Sequence, residues 1–433
     1  MTRHIPEMLQ KYLTSSITAV VLMGLPEYLR INEFPVPPFV WALSLLITFG
    51  FIALRGRDRV EFTHATQTLI KEPLFWWWIG FVISGLIAIL VHGAHSFALE
   101  DLMRRVSAAG GFLLMLLFML ISTNVRKWAQ TGILWGGILL SASILLGYLR
   151  IGFIDAIDCR PGGFLVNPNT AAYALCFCLL GSCSACKSRT LQTVSQTFFL
   201  FAIFITASRS GLLAAAITIA ALAFTQRVDV VRTLGLTVVL LASLATISLL
   251  GVTHNRTTSC LQEVVSDRFN FGVFQVQGPE NTGTAVPAKP LKPDGPDERS
   301  LIDHLYTNPS TQERIEYGSE AYERFIESPL TGDGIDPELG NQTHNEFLSL
   351  TSQHGLIGLI LFISFWFVLY KSGVTILVLL PFFFVAMFSH TFYYERFTLI
   401  VLAFLTATAI TERRKRNGPD TTLQSTRNSS LNS

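Results

Sequence analysis

The chain has 433 residues, of which half are hydrophobic and 14% are charged, and its formal net charge is +2. Ordinary soluble domains carry about 25% charged residues, so this composition excludes a soluble globule with a complete polar coat. The nearly balanced charge also gives no electrostatic footprint for a nucleic-acid partner.

Apolar blocks recur along the chain, and a block of roughly 20 residues crosses the ~30 Å hydrocarbon core of a bilayer as a helix. The first block is interrupted by Pro26 and Glu27, and because it lacks a small-residue cleavage site it is expected to be a span and not a signal peptide. We predict an all-α polytopic membrane protein of about 12 transmembrane helices, near 13–30, 37–54, 73–91, 106–122, 132–149, 170–186, 191–206, 211–226, 233–251, 347–370, 373–388 and 391–410.

Basic residues set the expected orientation, because short cytoplasmic loops hold an excess of Lys and Arg. With both termini in the cytoplasm, most of the Lys and Arg in short loops and tails fall on that side, whereas Arg104 and Arg105 fall in a short outer loop. The expected organisation is spans 1–9 over 1–251, one large outer loop over 252–343, spans 10–12 over 344–412, and a basic and then disordered cytoplasmic tail over 413–433.

The large outer loop changes character in its second half. Ser310 and Glu313 have the spacing of a capping box, and apolar residues from Ile315 to Ile326 recur at helical spacing. The sequence therefore predicts an amphipathic helix at about 311–327 that lies against the membrane domain.

The cysteines fall into two groups. Four share the sixth predicted span and are expected to be packing residues in a bilayer helix, although their spacing resembles a metal motif, namely Cys176, Cys178, Cys183 and Cys186. Cys159 and Cys260 are expected in separate outer loops, where they could form a disulfide if that compartment is oxidising. No set of histidines and carboxylates has the pattern of a metal site, so no metal is expected.

The segment Thr206-Ala-Ser-Arg-Ser-Gly211 joins two predicted spans with almost no loop, which places Arg209 at the outer boundary of the bilayer. There it lies at a helix N-terminus, where free N–H groups favour an anion, and its guanidinium could bind two phosphate oxygens. A snorkelling arginine at the membrane interface accounts for the same position.

Two further residues could carry chemistry near the large loop. Arg314 lies in the first turn of the predicted loop helix, where a cation is unfavourable unless an anion joins it, and either Glu313 and Glu316 or a bound phosphate could be that anion. His344 precedes the tenth span and could take a proton from an attacking hydroxyl, with Asn345 or Glu346 fixing its tautomer. A solvated interfacial histidine is the alternative.

A glycine- and asparagine-containing motif, GGFLVNPN, begins at Gly162 just before the sixth span, and Arg160 precedes it. Its asparagines Asn167 and Asn169 suit ordinary capping and turn roles. Together with Arg160 and Asn345, they could instead shape a substrate pocket.

Taken in chain order, these motifs resemble a known family. The order is G-G-F-x-x-N-P-N, S-R-S-G opening a span, a large loop with Q-E-R leading a helix, then P-L-T-G-D-G, H-N-E-F-L and a G-L-I-G-L span. The pattern, over about 160–365, is similar to the O-antigen ligase/O-antigen polymerase superfamily of bacterial inner-membrane glycan transferases. The resemblance implies a glycan donor linked to undecaprenyl pyrophosphate, a periplasmic active site, and no metal, cofactor or nucleotide sugar.

The resemblance also implies roles for individual residues. Arg209 and Arg314 match the two arginines that hold the donor pyrophosphate, and His344 matches the catalytic histidine. Two arginines could stabilise the departing pyrophosphate without a metal, while His344 activates an acceptor hydroxyl for direct, inverting attack.

Three activities share this family core. A ligase passes the glycan to the lipid A–core oligosaccharide, a polymerase joins repeat units on the carrier lipid, and a protein O-oligosaccharyltransferase modifies Ser or Thr. The compact chain and the H-N-E-F-L context favour a ligase. A transporter or flippase is the alternative from another class, but such proteins place ionisable residues near the bilayer midplane, whereas the charged motifs here gather at the expected outer face.

Overall fold

The computed structural model describes residues 4–31, 59–94, 96–149, 160–183, 188–225, 229–249, 309–335, 343–389 and 391–416. The predicted span near 37–54, the outer cysteines Cys159 and Cys260, and the tail beyond 416 lie outside these residues.

The described residues form helices and connecting turns, with no strand among them. A short 3₁₀ helix, Gly163–Leu165, precedes α7. The α-helices are α1 (His4–Leu22), α2 (Leu25–Ile31), α3 (Arg59–Lys71), α4 (Pro73–His92), α5 (Ser96–Ile121), α6 (Thr123–Leu149), α7 (Pro168–Ser182), α8 (Arg189–Ile205), α9 (Arg209–Phe224), α10 (Val230–Leu249), α11 (Pro309–Glu327), α12 (Glu346–Lys371), α13 (Ile376–Ala386) and α14 (Arg396–Arg416).

Four of these helices, α4, α5, α6 and α12, are long and apolar enough to cross a membrane. Large apolar side chains remain exposed on them, including Trp76, Leu90 and Phe367, and an exposed apolar surface of this kind is typical of contact with lipid. The fold is thus all-α and of the membrane type. The count of 12 spans and the placement of the large loop stay predictions.

The first predicted span, 13–30, is wrong as a single helix. The chain turns between α1 and α2 at Gly24, whose φ is +82° and whose Cβ would lie 2.5 Å from the Leu165 side chain. A left-handed residue in such close contact must be glycine, so the break precedes the expected interruption. Pro26 instead lies in the first turn of α2, where a missing N–H costs nothing.

The expected loop position of Arg104 and Arg105 is also wrong. Helix α5 begins at Ser96, ten residues before the predicted span, and includes both arginines. Pairing with Glu100 and Asp101 one turn earlier compensates these charges within the helix. The polar helix α3 was not predicted either, because apolar blocks do not mark a helix of this composition.

The antiparallel helices α4 and α12 define two ends of the bundle. At one end, Nη2 of Arg413 lies 2.5 Å from Oε1 of Glu72, and Nη1 donates to the carbonyl of Lys371. This brings together residues that the charge pattern assigns to the cytoplasm. His344 lies at the opposite end of α12 from Lys371. Which end faces the cytoplasm stays a prediction.

Aromatic side chains pack α4 against α12. The rings of Trp77 and Phe365 lie 4.5 Å apart, and Nε1 of Trp77 donates to the carbonyl oxygen of Leu361 at 2.9 Å. In the neighbouring part of the core, α7 is buried along its length, including Cys176 and Cys178. These two cysteines pack among apolar neighbours, as the composition of their span predicts.

The predicted amphipathic loop helix is present as α11. One face packs against α12: Ala321 is fully buried, and a Cβ on Gly318 would lie 3.7 Å from Leu348. Because Arg314 precedes Gly318 by four residues, it lies on the same face of the helix. Contact with α12 therefore directs this arginine toward the membrane domain.

Candidate active site

The glycine–asparagine motif forms a tight turn that starts α7. Gly163 has a φ of +58°, and its Cβ would lie 2.2 Å from Oγ of Ser143, so no larger residue fits there. Asn167 caps the helix, with its side-chain oxygen accepting from the backbone N–H of Asn169 at 2.9 Å and of Thr170 at 3.4 Å. The structure thus gives Asn167 a capping role.

Asn169 connects this motif to the segment around Arg209. Its Oδ1 accepts from Nη2 of Arg160 at 3.0 Å and from Oγ of Ser208 at 2.7 Å. Nε of Arg160 lies 3.4 Å from the carbonyl oxygen of Thr206. Two motifs separated by about 40 residues in sequence therefore form one hydrogen-bonded unit.

This unit sets the start of α9. The backbone turns at Ala207, whose φ is +50°, and Oγ of Ser208 caps the helix by accepting from the N–H of Gly211 at 3.0 Å. A Cβ on Gly211 would lie 2.4 Å from Cβ of Ala172, so α9 abuts α7 closely. Arg209 is the first residue of α9 and has an exposed side chain.

Tyr173 links α7 to the start of α9. Oη of Tyr173 and Oγ of Ser210 are 2.6 Å apart, and Arg160 and Arg314 both lie in the neighbourhood of the Tyr173 side chain. Tyr173 follows Asn169 by four residues on the same helix face, a spacing by which it could have been found in the sequence. The structure thus brings Arg314 from α11 toward the unit that holds Arg160.

His344 lies at the start of α12, with an exposed side chain and a φ of +45°. The next residue, Asn345, caps the helix by accepting from the N–H of Leu348 at 3.1 Å. Glu346 is buried and accepts from the backbone N–H of Phe392 at 2.9 Å. The two residues that follow the histidine therefore bind backbone groups, and the cap by Asn345 fixes where α12 begins.

A second polar cluster, which sequence reasoning missed, is buried where α4, α5 and α12 meet. Arg105 is fully buried; its Nε bonds Asp101 at 2.5 Å, and its Nη2 lies 2.6 Å from Nε2 of His354. The other oxygen of Asp101 accepts from the hydroxyl of Tyr394 at 2.8 Å. No close group of three or more metal-binding side chains occurs among the described residues.

Residues 197–363 match the family described as O-antigen ligase. The chain therefore carries an O-antigen ligase family segment. This confirms the resemblance drawn from the motifs. No curated protein matches the chain significantly.

The O-antigen ligase segment contains Arg209, Arg314 and His344, as well as Ser210. It does not contain α7, so Asn169 and Tyr173 reach the segment only through the folded structure. Arg209 lies at the exposed start of α9, beside the hydroxyl groups of Ser210 and Tyr173. A helix start with an arginine and hydroxyl groups can bind an anion. The site also has an exposed imidazole at the start of another helix, which can accept a proton.

Proposed function

We propose that the protein is an O-antigen ligase of the bacterial inner membrane. It transfers a glycan from undecaprenyl pyrophosphate to the lipid A–core oligosaccharide at the periplasmic face, without a metal and with inversion. One observation carries the proposal: residues 197–363, which match the O-antigen ligase family, contain Arg209, Arg314 and His344, the three residues to which the motif resemblance gives donor-binding and catalytic roles.

The donor end of the reaction uses the arginines. Arg209 begins α9, where helix N–H groups and the helix dipole favour the negative pyrophosphate. Arg314 adds a second guanidinium that can bond two phosphate oxygens. As the bond between the anomeric carbon and the phosphate oxygen breaks, negative charge develops on the leaving group. One positioned donor of this kind is worth on the order of 10²–10³ in rate.

The acceptor end uses His344. The neutral imidazole takes the proton of the acceptor hydroxyl as that oxygen attacks the anomeric carbon, a contribution of about 10²–10⁴ in rate. The attacking oxygen and the pyrophosphate occupy opposite faces of the sugar, so a single displacement inverts the configuration. Exposure of His344 at the start of α12 supports this role, because a large acceptor must reach it.

The function is tested in a strain that lacks the protein, by separating its lipopolysaccharide on a gel and extracting carrier-linked glycan in parallel. A ligase leaves core without O-antigen while polymer accumulates on the carrier. Core capped with a single repeat unit would indicate a polymerase, which uses the same donor. An unchanged lipopolysaccharide pattern would contradict both and direct the assay to glycosylated proteins or to transport.

The catalytic role of His344 is tested by complementing that strain with His344→Ala. We expect folded protein in the membrane that still binds the carrier-linked donor but makes no capped lipopolysaccharide. His64→Ala, which changes a histidine of α3 outside the site, is the matched control and should complement fully. Product formation by His344→Ala would remove the general-base role, and a transporter would not require this imidazole.

A further inference from the structure

Helix α12 is interrupted at its tenth residue, Gly355. Gly355 has a φ of 58° and a ψ of −137°, far from helical values. In an unbroken helix the N–H of Leu356 would bond the carbonyl of Ser352 four residues earlier. Instead, the N–H of Leu356 donates to the carbonyl of Pro329 at 2.7 Å, and the carbonyl of Ser352 accepts from the N–H of Asp333 at 2.9 Å. The loop after α11 thus takes both partners of the missing helical bond.

We call these two segments, 329–333 and 352–356, the α12 joint. Its backbones approach so closely that only glycine fits: a Cβ on Gly332 would lie 2.3 Å from the carbonyl carbon of Gln353, and one on Gly355 would lie 2.6 Å from the N atom of Gly332. Both glycines have positive φ values, +70° and +58°. Gly332 of the P-L-T-G-D-G sequence therefore lets this loop fit against the interrupted turn of α12.

The buried cluster around Arg105 contacts the α12 joint at His354. Arginine only donates hydrogen bonds, so Nε2 of His354, 2.6 Å from Nη2 of Arg105, must be the acceptor. His354 is therefore neutral, with its proton on Nδ1. Arg105 in turn bonds Asp101 of α5 at 2.5 Å and Oγ of Ser84 on α4 at 3.0 Å. The residue beside the break in α12 is thus tied to two membrane-spanning helices.

The same joint is tied to the end of α11. Arg324 bonds Glu320 at 2.8 Å within the helix and reaches Oδ2 of Asp333 in the loop at 3.4 Å. The N–H of Gly332 donates to the carbonyl of Ser328 at 2.8 Å. No long flexible segment separates α11 from the joint, so a shift of the joint moves the whole helix that carries Arg314.

We propose that Arg105 and His354 are positioning residues that hold the α12 joint and thereby set the place of Arg314 relative to His344. Arg314 lies on the helix that enters the joint, and His344 lies at the start of the helix that the joint interrupts. The roles of Arg314 and His344 rest on the proposed function. The dependence of the joint on the buried pair rests only on the contacts given above.

The test uses the full-length protein in lipid nanodiscs and measures hydrogen exchange at the amides of Asp333 and Leu356 together with glycan transfer. His354→Leu removes the acceptor for Arg105, so both amides should exchange faster. Turnover should fall about 10²-fold, the loss that a misplacement of about 1 Å can cause, with a smaller change in the KM for the carrier-linked donor. His354→Gln supplies an amide oxygen as acceptor and should restore slow exchange and most of the turnover.

A second variant approaches the joint from the loop and leaves the buried cluster intact. Gly332→Ala should also accelerate exchange at Leu356 and lower turnover, because its Cβ meets the α12 backbone. Gly318→Ala on α11 is the matched control, since its Cβ makes only an ordinary contact with Leu348 at 3.7 Å.

The outcomes separate this inference from the proposed function. Unchanged exchange in His354→Leu, or equally fast exchange in His354→Gln, would overturn the positioning role. Exchange that responds as expected in a protein whose wild type transfers no glycan would leave the joint in place and contradict the proposed function.

Discussion

Two regions of this protein contain arginines, and they differ in whether the arginine side chain is buried or exposed. Arg105 is fully buried, and its bonds to Asp101, Ser84 and His354 lie within the helical bundle. The region around Tyr173 and Ser210 instead has an exposed arginine, Arg209, at the start of α9. A charge enclosed by protein groups acts on the geometry of the protein, whereas a charge at an accessible helix end can act on a substrate. Loss of a charged partner in the first region should therefore cost the most stability, whereas loss of the arginine in the second region should lower turnover with little change in stability.

The largest expected effect lies in the enclosed region. Asp101→Ala leaves Arg105 buried without its carboxylate, and breaking a buried ion pair in this way costs about 3–5 kcal/mol in the free energy of unfolding. Thermal unfolding in detergent measures the loss. Glu100→Ala is the matched control, because Glu100 pairs with Arg104 at the same spacing but on an exposed surface. Equal destabilisation by both substitutions would contradict the distinction between the two regions.

The next effect lies in the accessible region. Arg209→Ala should lower glycan transfer on the order of 10²–10³-fold, the loss expected for one positioned donor to a developing anion. Its unfolding temperature should stay close to that of the wild type, because the side chain is exposed. Transfer assays and thermal unfolding on the same preparation separate the two quantities. A strong loss of stability with little change in transfer would reverse the assignment of this region.

Arg314→Lys tests whether the second arginine acts by geometry or by charge alone. Lysine keeps the positive charge but lacks the planar fork that bonds two oxygens, so we expect weaker donor binding and lower transfer than in the wild type. Arg104→Lys, at an exposed arginine of α5, controls for the chemical change. Donor affinity equal to that of the wild type in Arg314→Lys would argue against contact with the pyrophosphate.

The smallest effect concerns the hydroxyl pair beside the arginines. Tyr173→Phe removes the bond between Oη of Tyr173 and Oγ of Ser210, and a hydrogen bond of this type contributes about 1 kcal/mol. We expect a modest fall in transfer. A double-mutant cycle with Ser210→Ala measures the coupling, and purely additive losses would show that the pair does not act together.

The sequence predicts some elements well because their signals are local. Apolar blocks identify α4, α6 and α12, and helical spacing with a capping signal identifies α11. The short S-R-S-G connection likewise places Arg209 at a helix start. Gly24 shows a limit, because the need for a left-handed turn there comes from close contact with Leu165, a residue distant in sequence.

Other features depend on contacts between distant segments. In Glu100-Asp101-Leu-Met-Arg104-Arg105 both acidic residues precede an arginine by four positions, so the sequence cannot indicate which pair is enclosed. Packing of α4 and α12 decides that it is Asp101 and Arg105. Similarly, Asn169 has the local pattern of a turn residue, and its bonds to Arg160 and Ser208 appear only when α7 lies beside α9.

Composition and local sequence patterns thus determined the membrane class and several helices, because hydrophobicity and helix signals act within one element at a time. The order of short motifs determined the residues of an O-antigen ligase family segment. The tertiary structure alone decided which charges are enclosed, which helix is broken and which loop fills the break. Those features require backbone and side-chain groups from separate helices to meet, as Leu356 and Ser352 do with the loop after α11.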